Sequence, residues 1–72
     1  MNKKELNIKI GLKIRELRIE KNLSIQKFSD KLDVEYSNLI RIEKGRTNPT
    51  ISTLYNIAQI LDAKLTDTVD IE

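Results

Sequence analysis

Tyr36, Ser37 and Arg41 place a phenol, a hydroxyl and a guanidinium close together in the stretch "VEYSNLIRIEKG", and each can hydrogen-bond a partner outside the chain. On a helix, positions 36, 37, 40 and 41 share one side while Leu39 and Ile42 point to the other. A helix anchored by Leu39 and Ile42 would leave its polar side free to bind. An ordinary solvated face, with Arg41 paired to Glu35 or Glu43, fits the same residues, so their types and spacing leave both open. Other chemistries are excluded more firmly. The chain has no Cys and no His, which removes disulfides, thiolate nucleophiles, imidazole bases and the usual zinc ligand sets. Glu16 and Glu20 stand four apart among lysines and arginines, as surface charges do, and no glycine-rich phosphate loop exists. No catalytic residue, metal site, cofactor or small-molecule ligand is implied, and an enzyme is not expected.

The elements that must position this helix can be read from apolar spacing. Leu6, Ile10, Ile14 and Leu17 recur at intervals of four, four and three, which predicts a first helix from about Lys4 to Glu20. Ser24 is suited to cap a second helix of about eight residues with Phe28 and Leu32 inward. Asp33 tolerates the left-handed conformation, so a tight turn is expected at Asp33 and Val34. A third helix follows from Glu35 to Glu43, ended by Gly45. Pro49 closes the loop "GRTNP", and Thr50 caps a fourth helix to about Asp62, built on Ile51, Leu54, Ile57, Ala58 and Leu61. Leu65, Val69 and Ile71 fit either a strand face or a short helix, and a short fifth helix is preferred. The expected fold is a compact all-α five-helix domain with connections of two to six residues.

Length and charge narrow the function. A chain of 72 residues has room for one core and one site. Its net charge of +2 is unevenly spread: residues 1–61 hold 12 Lys/Arg against 7 Asp/Glu, whereas 62–72 hold one against four. A basic body is compatible with a polyanionic partner and does not by itself require one. The apolar residues come in ones and twos, far short of the roughly 20 in a row that a membrane span needs. "MNKK" is followed by no apolar block, so no signal peptide is expected. A cytoplasmic location fits the absence of cysteine.

From Ile10 to Val69 the stretches "IGLKIRELRIEKNLS", "FSDKLDVEYSNLIRIEKGRTNP" and "TLYNIAQILD" resemble the Cro and phage-repressor type of helix-turn-helix domain, the Xre family. The resemblance divides the chain into an N-terminal arm and start of the first helix (1–9), a lambda-repressor-like domain (10–69, with the helix-turn-helix at about 24–43) and a short tail (70–72). It implies binding of double-stranded DNA, with the third helix lying in the major groove.

Residue roles follow from the resemblance. Tyr36, Ser37, Ile40 and Arg41 would read bases. Arg41 could pair bidentately with guanine O6 and N7, a contact worth about 1–3 kcal/mol of discrimination, and Ile40 could meet a thymine methyl or pack on a loop. Phosphate contacts would come from Ser24, Gln26, Lys27, Asn38, Lys44, the Gly45 amide, Arg46 and Asn48. Arg18 and Glu43 match positions that form a structural ion pair in some relatives. Several positions depart from the pattern: Ile25 replaces a glutamine, Asp33 a turn glycine, Glu35 a serine or threonine cap, and Ile40 a small or polar residue.

So small a module contacts few base pairs, and a homodimer on a two-fold operator is the usual remedy. Leu61, Leu65, Val69 and Ile71 are candidates for its seam, with Thr68 standing where relatives often carry a large apolar residue. Regulation would follow from promoter occlusion or contact with RNA polymerase. The profile is similar to controller proteins of restriction-modification systems and to small phage or mobile-element repressors. An antitoxin or other protein-interaction module of the same fold is the alternative.

Overall fold

Five helices follow one another along the chain: α1 (Lys3–Glu20), α2 (Ile25–Leu32), α3 (Tyr36–Glu43), α4 (Ile51–Ile60) and α5 (Leu65–Thr68). The computed structural model describes residues 1–68, among which there is no strand. Three helices begin on a side chain that accepts from the first turn: Asn2 from the Glu5 amide, Ser24 from Lys27 and Thr50 from Thr53. Each satisfies one of the amides that a helix start leaves without an internal partner. Past the C-terminal ends of α1, α2, α3 and α4 the chain passes through a left-handed residue: Asn22, Asp33, Gly45 and Asp62. Asn and Asp enter that region more readily than other side chains.

The core draws on every long element: Ile10 and Ile14 from α1, Phe28 from α2, Leu39 and Ile42 from α3, and Leu54, Ile57 and Ala58 from α4. Burying one such side chain contributes about 1.5–3 kcal/mol, so the stripes seen in the sequence are what gather the helices. One expectation for the seam between subunits needs correction. Leu61 is 1% exposed and belongs to this core, so its side chain is spent inside the protomer. Thr68 is also sealed, its hydroxyl satisfied by the Leu65 carbonyl at 2.7 Å. Leu65 is half-buried against the core. Val69 and Ile71 lie outside the described residues.

Helix boundaries shift slightly from the expected ones. Glu35 is the N-cap of α3 and not its first residue, and α4 stops at Ile60 because Asp62 is left-handed. α1 crosses the end of α3 without room for a side chain: a Cβ at Gly11 would lie 2.5 Å from the carbonyl oxygens of Ile42 and Glu43. Gly45 has φ +72° and rests on the Ile8 backbone, where a Cβ would lie 2.5 Å from Ile8 Cα. Close approach at these two glycines locks α3 and its following loop onto α1.

Candidate nucleic-acid interface

α2 and α3 are joined by three residues, Asp33 to Glu35. Asp33, at φ 56° and ψ 44°, supplies the left-handed turn, and the Val34 amide bonds the Ser29 carbonyl at 3.1 Å. Leu39 and Ile42 hold α3 to the core, which leaves Ser37, Arg41 and the 47%-exposed Tyr36 on its outer side. At the start of α3 the Tyr36 and Ser37 amides precede the first internal bonds, which run from Asn38 and Leu39 to the Glu35 carbonyl. These unpaired amides make the helix start receptive to an anion.

The far end of α3 is anchored by an ion pair that is almost out of solvent. Arg18 Nε donates to Glu43 Oε2 at 2.7 Å, its Nη2 to Oε1 at 3.1 Å, and its Nη1 to the Leu23 carbonyl at 2.7 Å. Arg18 is 8% and Glu43 6% exposed. One guanidinium therefore ties α1, the α1–α2 loop and α3 together, fixing the angle at which α3 is presented. The fork of Arg matches a carboxylate in two places at once, which a lysine cannot do.

The remaining candidates fall around this helix. Ser24, Gln26 and Lys27 are exposed at the start of α2; the Ser24 oxygen is engaged as the cap, and Gln26 Nε2 donates to Asp30 Oδ1 at 3.0 Å. Lys44, Arg46 and Asn48 are exposed after α3, with Gly45 half-buried between them; its amide, expected to meet a phosphate, instead donates to the Ile42 carbonyl at 3.1 Å. Asn38 is half-buried and borders a small cleft with Thr47, Asn48 and Pro49. Ile40 is half-buried too, on a groove that it shares with Leu12 and Ile25. Ile40 thus borders α1 as well as the outer side of α3.

Asn7, Lys3 and Lys4 were not singled out from the sequence, yet they flank the loop that carries Lys44, Gly45 and Arg46. The signal available was periodicity, since position 7 falls on the buried stripe of Ile10, Ile14 and Arg18.

Two helices, a short turn, and a second helix buried on one side and polar on the other define a helix-turn-helix unit of the DNA-binding kind. The family model for HTH_3, helix-turn-helix, matches residues 14–67, and the chain belongs to that family of DNA-binding transcriptional regulators. An uncharacterized HTH-type transcriptional regulator of Archaeoglobus fulgidus is 29% identical over 55 residues, which is 76% of this chain and 78% of that protein. The restriction-modification controller protein C.AhdI of Aeromonas hydrophila has a TM-score of 0.81 at 26% identity, over 85% of this chain and 92% of its own. SinR, a master regulator for biofilm formation solved in complex with DNA, has a TM-score of 0.79 at 34% identity, over 85% and 98%. No described helix is long and apolar enough to cross a membrane.

Proposed function

We propose that the chain is a sequence-specific regulator that reads double-stranded DNA as a homodimer, inserting α3 of each protomer into one half-site of a two-fold operator. The observation that carries this is the open flank of α3: Tyr36, Ser37 and Arg41 face outward from a helix whose other side is buried and whose end is clamped by Arg18 and Glu43. Ser24, Lys27, Lys44, Arg46 and Asn48 flank it and supply phosphate contacts, which fix orientation without reading sequence. The DNA-bound relative SinR supports the same mode of binding. Promoter occlusion is the simplest consequence of binding, with contact to RNA polymerase as a second route.

The dimer rests on reach: a single module spans few base pairs, and half-sites one turn of duplex apart need two. Ile51 and Tyr55, 70% and 53% exposed and one turn apart on α4, supply apolar surface of the kind a protein contact uses. That surface also keeps the antitoxin-like alternative in view, because it would serve a different protein equally well.

Selection of bound duplexes from a random pool tests the proposal. A two-fold consensus with half-sites about one helical turn apart is expected, together with a sedimentation mass of two protomers on the selected duplex. Recovery of no consensus, or a single protomer on the winning duplex, would end it.

A further inference from the structure

We infer that the cleft between the first turns of α1 and the loop after α3 is a second phosphate seat, in which Lys3, Lys4 and Asn7 complete a contact begun by Lys44 and Arg46. The cleft holds about 640 Å³ and no acidic side chain lines it. Its four cations come from two segments some 40 residues apart in sequence. The ion pairs among the described residues are Lys13–Glu16 and Arg18–Glu43, so none of the four is neutralised there. Like charges brought together repel, and an anion between them reverses the sign of the interaction.

Asn7 sets this cleft apart from an ordinary basic surface. The residue is only 9% exposed, and its Oδ1 is buried without a hydrogen-bond partner. A buried polar group left unpaired is unfavourable, and native structures retain few of them. A carboxamide both donates and accepts. A turn of the carboxamide toward the cleft would bring its oxygen out of burial to accept from a lysine ammonium, while its nitrogen donates to a phosphate oxygen. The walls stand close together, because Gly45 lies directly on the Ile8 backbone.

Lys44 and Arg46 also belong to the backbone contacts proposed above. The assignment of this phosphate to the duplex therefore rests on that reading, and it widens the footprint from α3 toward the start of α1. A free phosphorylated molecule offers the same chemistry, and the test separates the two sources.

The test uses the whole chain in two arms. In the first, inorganic phosphate is titrated against chloride at matched ionic strength while the Asn7 side-chain amide and the Lys4 and Gly45 backbone amides are followed by NMR. In the second, wild type, Asn7→Asp and the double variant Lys3→Gln/Lys4→Gln are compared on a selected duplex carrying single methylphosphonate substitutions. Both variants are first melted, and the exposed lysine pair keeps the test valid if Asn7→Asp fails to fold. Loss of one phosphate contact lowers the slope of log affinity against log salt by about 0.9, so the wild type's advantage shrinks about 3.5-fold over a fourfold rise in salt.

A methylphosphonate position that weakens wild type but not the variants assigns the seat to the duplex. Amide shifts with inorganic phosphate, combined with coincident methylphosphonate profiles, support the seat and assign it to a free phosphorylated molecule. No amide shift, unchanged salt slopes and coincident profiles together overturn it. A wild-type chain that binds no duplex at any salt ends the DNA reading, while the phosphate titration still decides the seat.

Discussion

Gly11 of α1 lies against the last carbonyl of α3: a Cβ at position 11 would come within 2.5 Å of the Glu43 oxygen. Alanine in a helix interior is ordinarily favoured over glycine by about 1 kcal/mol. Here the obstruction is backbone and not the end of a flexible side chain, and overpacking of that kind costs about 1–3 kcal/mol. Gly11→Ala should therefore be net destabilising, and because α3 must shift, duplex affinity should fall with it. A denaturant midpoint at or above that of wild type would show that the crossing is looser than it looks.

The neighbouring ion pair makes a sharper prediction. A 72-residue domain has roughly 4–11 kcal/mol of stability, and removing one partner of a buried pair costs about 3–5. Arg18→Ala strands the Glu43 carboxylate and also leaves the Leu23 carbonyl without its donor, so it should remove a large share of that stability. Replacing both partners with apolar side chains, as in Arg18→Met with Glu43→Leu, should recover most of the loss, because no charge is then left buried. Urea melts of the four combinations measure this directly. An Arg18→Ala protein that melts like wild type would contradict it.

How much of this was legible beforehand depends on which force placed each residue. Ile10, Ile14, Phe28, Leu39, Ile42, Leu54 and Ile57 were readable because helical periodicity and burial agree, and the caps Ser24 and Thr50 because their hydroxyls suit one position only. Asp33 and Gly45 were readable as left-handed stops. Asn22 and Asp62 had the same side-chain chemistry but were passed over. The short α5 was ambiguous on spacing. It is settled by two local bonds, Lys64 amide to Asp67 Oδ2 at 2.9 Å and the Thr68 hydroxyl to the Leu65 carbonyl.

The site was less legible than the core. Tyr36, Ser37 and Arg41 share a side by helical geometry, but only the family resemblance gave that side a task. The match of Arg18 to Glu43, 25 residues apart in sequence, likewise had no local signal. Leu61 was misassigned because an apolar residue at a helix end suits a core and a seam equally. Asn7 and the two lysines before it meet the 44–46 loop only through the crossing of α1 over α3, and no spacing in the sequence announces a tertiary crossing.

Glu35 caps α3 without a side-chain hydrogen bond, unlike Asn2, Ser24 and Thr50 at the other long helices. Glu35→Ser should gain about 0.5–1 kcal/mol from a proper cap. It should lose about 0.3–1 from the carboxylate's interaction with the helix dipole. The two nearly cancel, so the melting temperature should barely move. Affinity for duplexes of any sequence should rise instead, since a negative charge leaves the helix end that the proposed binding mode brings near phosphates. Fluorescence anisotropy with random and selected duplexes reads the second effect, and a fall on both would show that the carboxylate makes a favourable contact.

Arg41 and Lys44 lie three residues apart, and the proposal assigns them different work. Arg41 projects from the open flank of α3, where a guanidinium can meet a base edge in two places, while Lys44 follows the helix and offers a point charge. Arg41→Ala should cost about 1–3 kcal/mol on the selected duplex and flatten preference at one base position. Its effect on random DNA should be much smaller. Lys44→Ala should weaken all duplexes alike and reduce the salt slope by about one. Both residues are exposed, so neither change should alter the melting temperature by more than about 2–4 °C, and the binding losses can be read without correction for unfolding. Equal losses on selected and random DNA for Arg41→Ala would reassign it to the phosphate contacts. The task of reading bases would then fall to Tyr36 and Ser37.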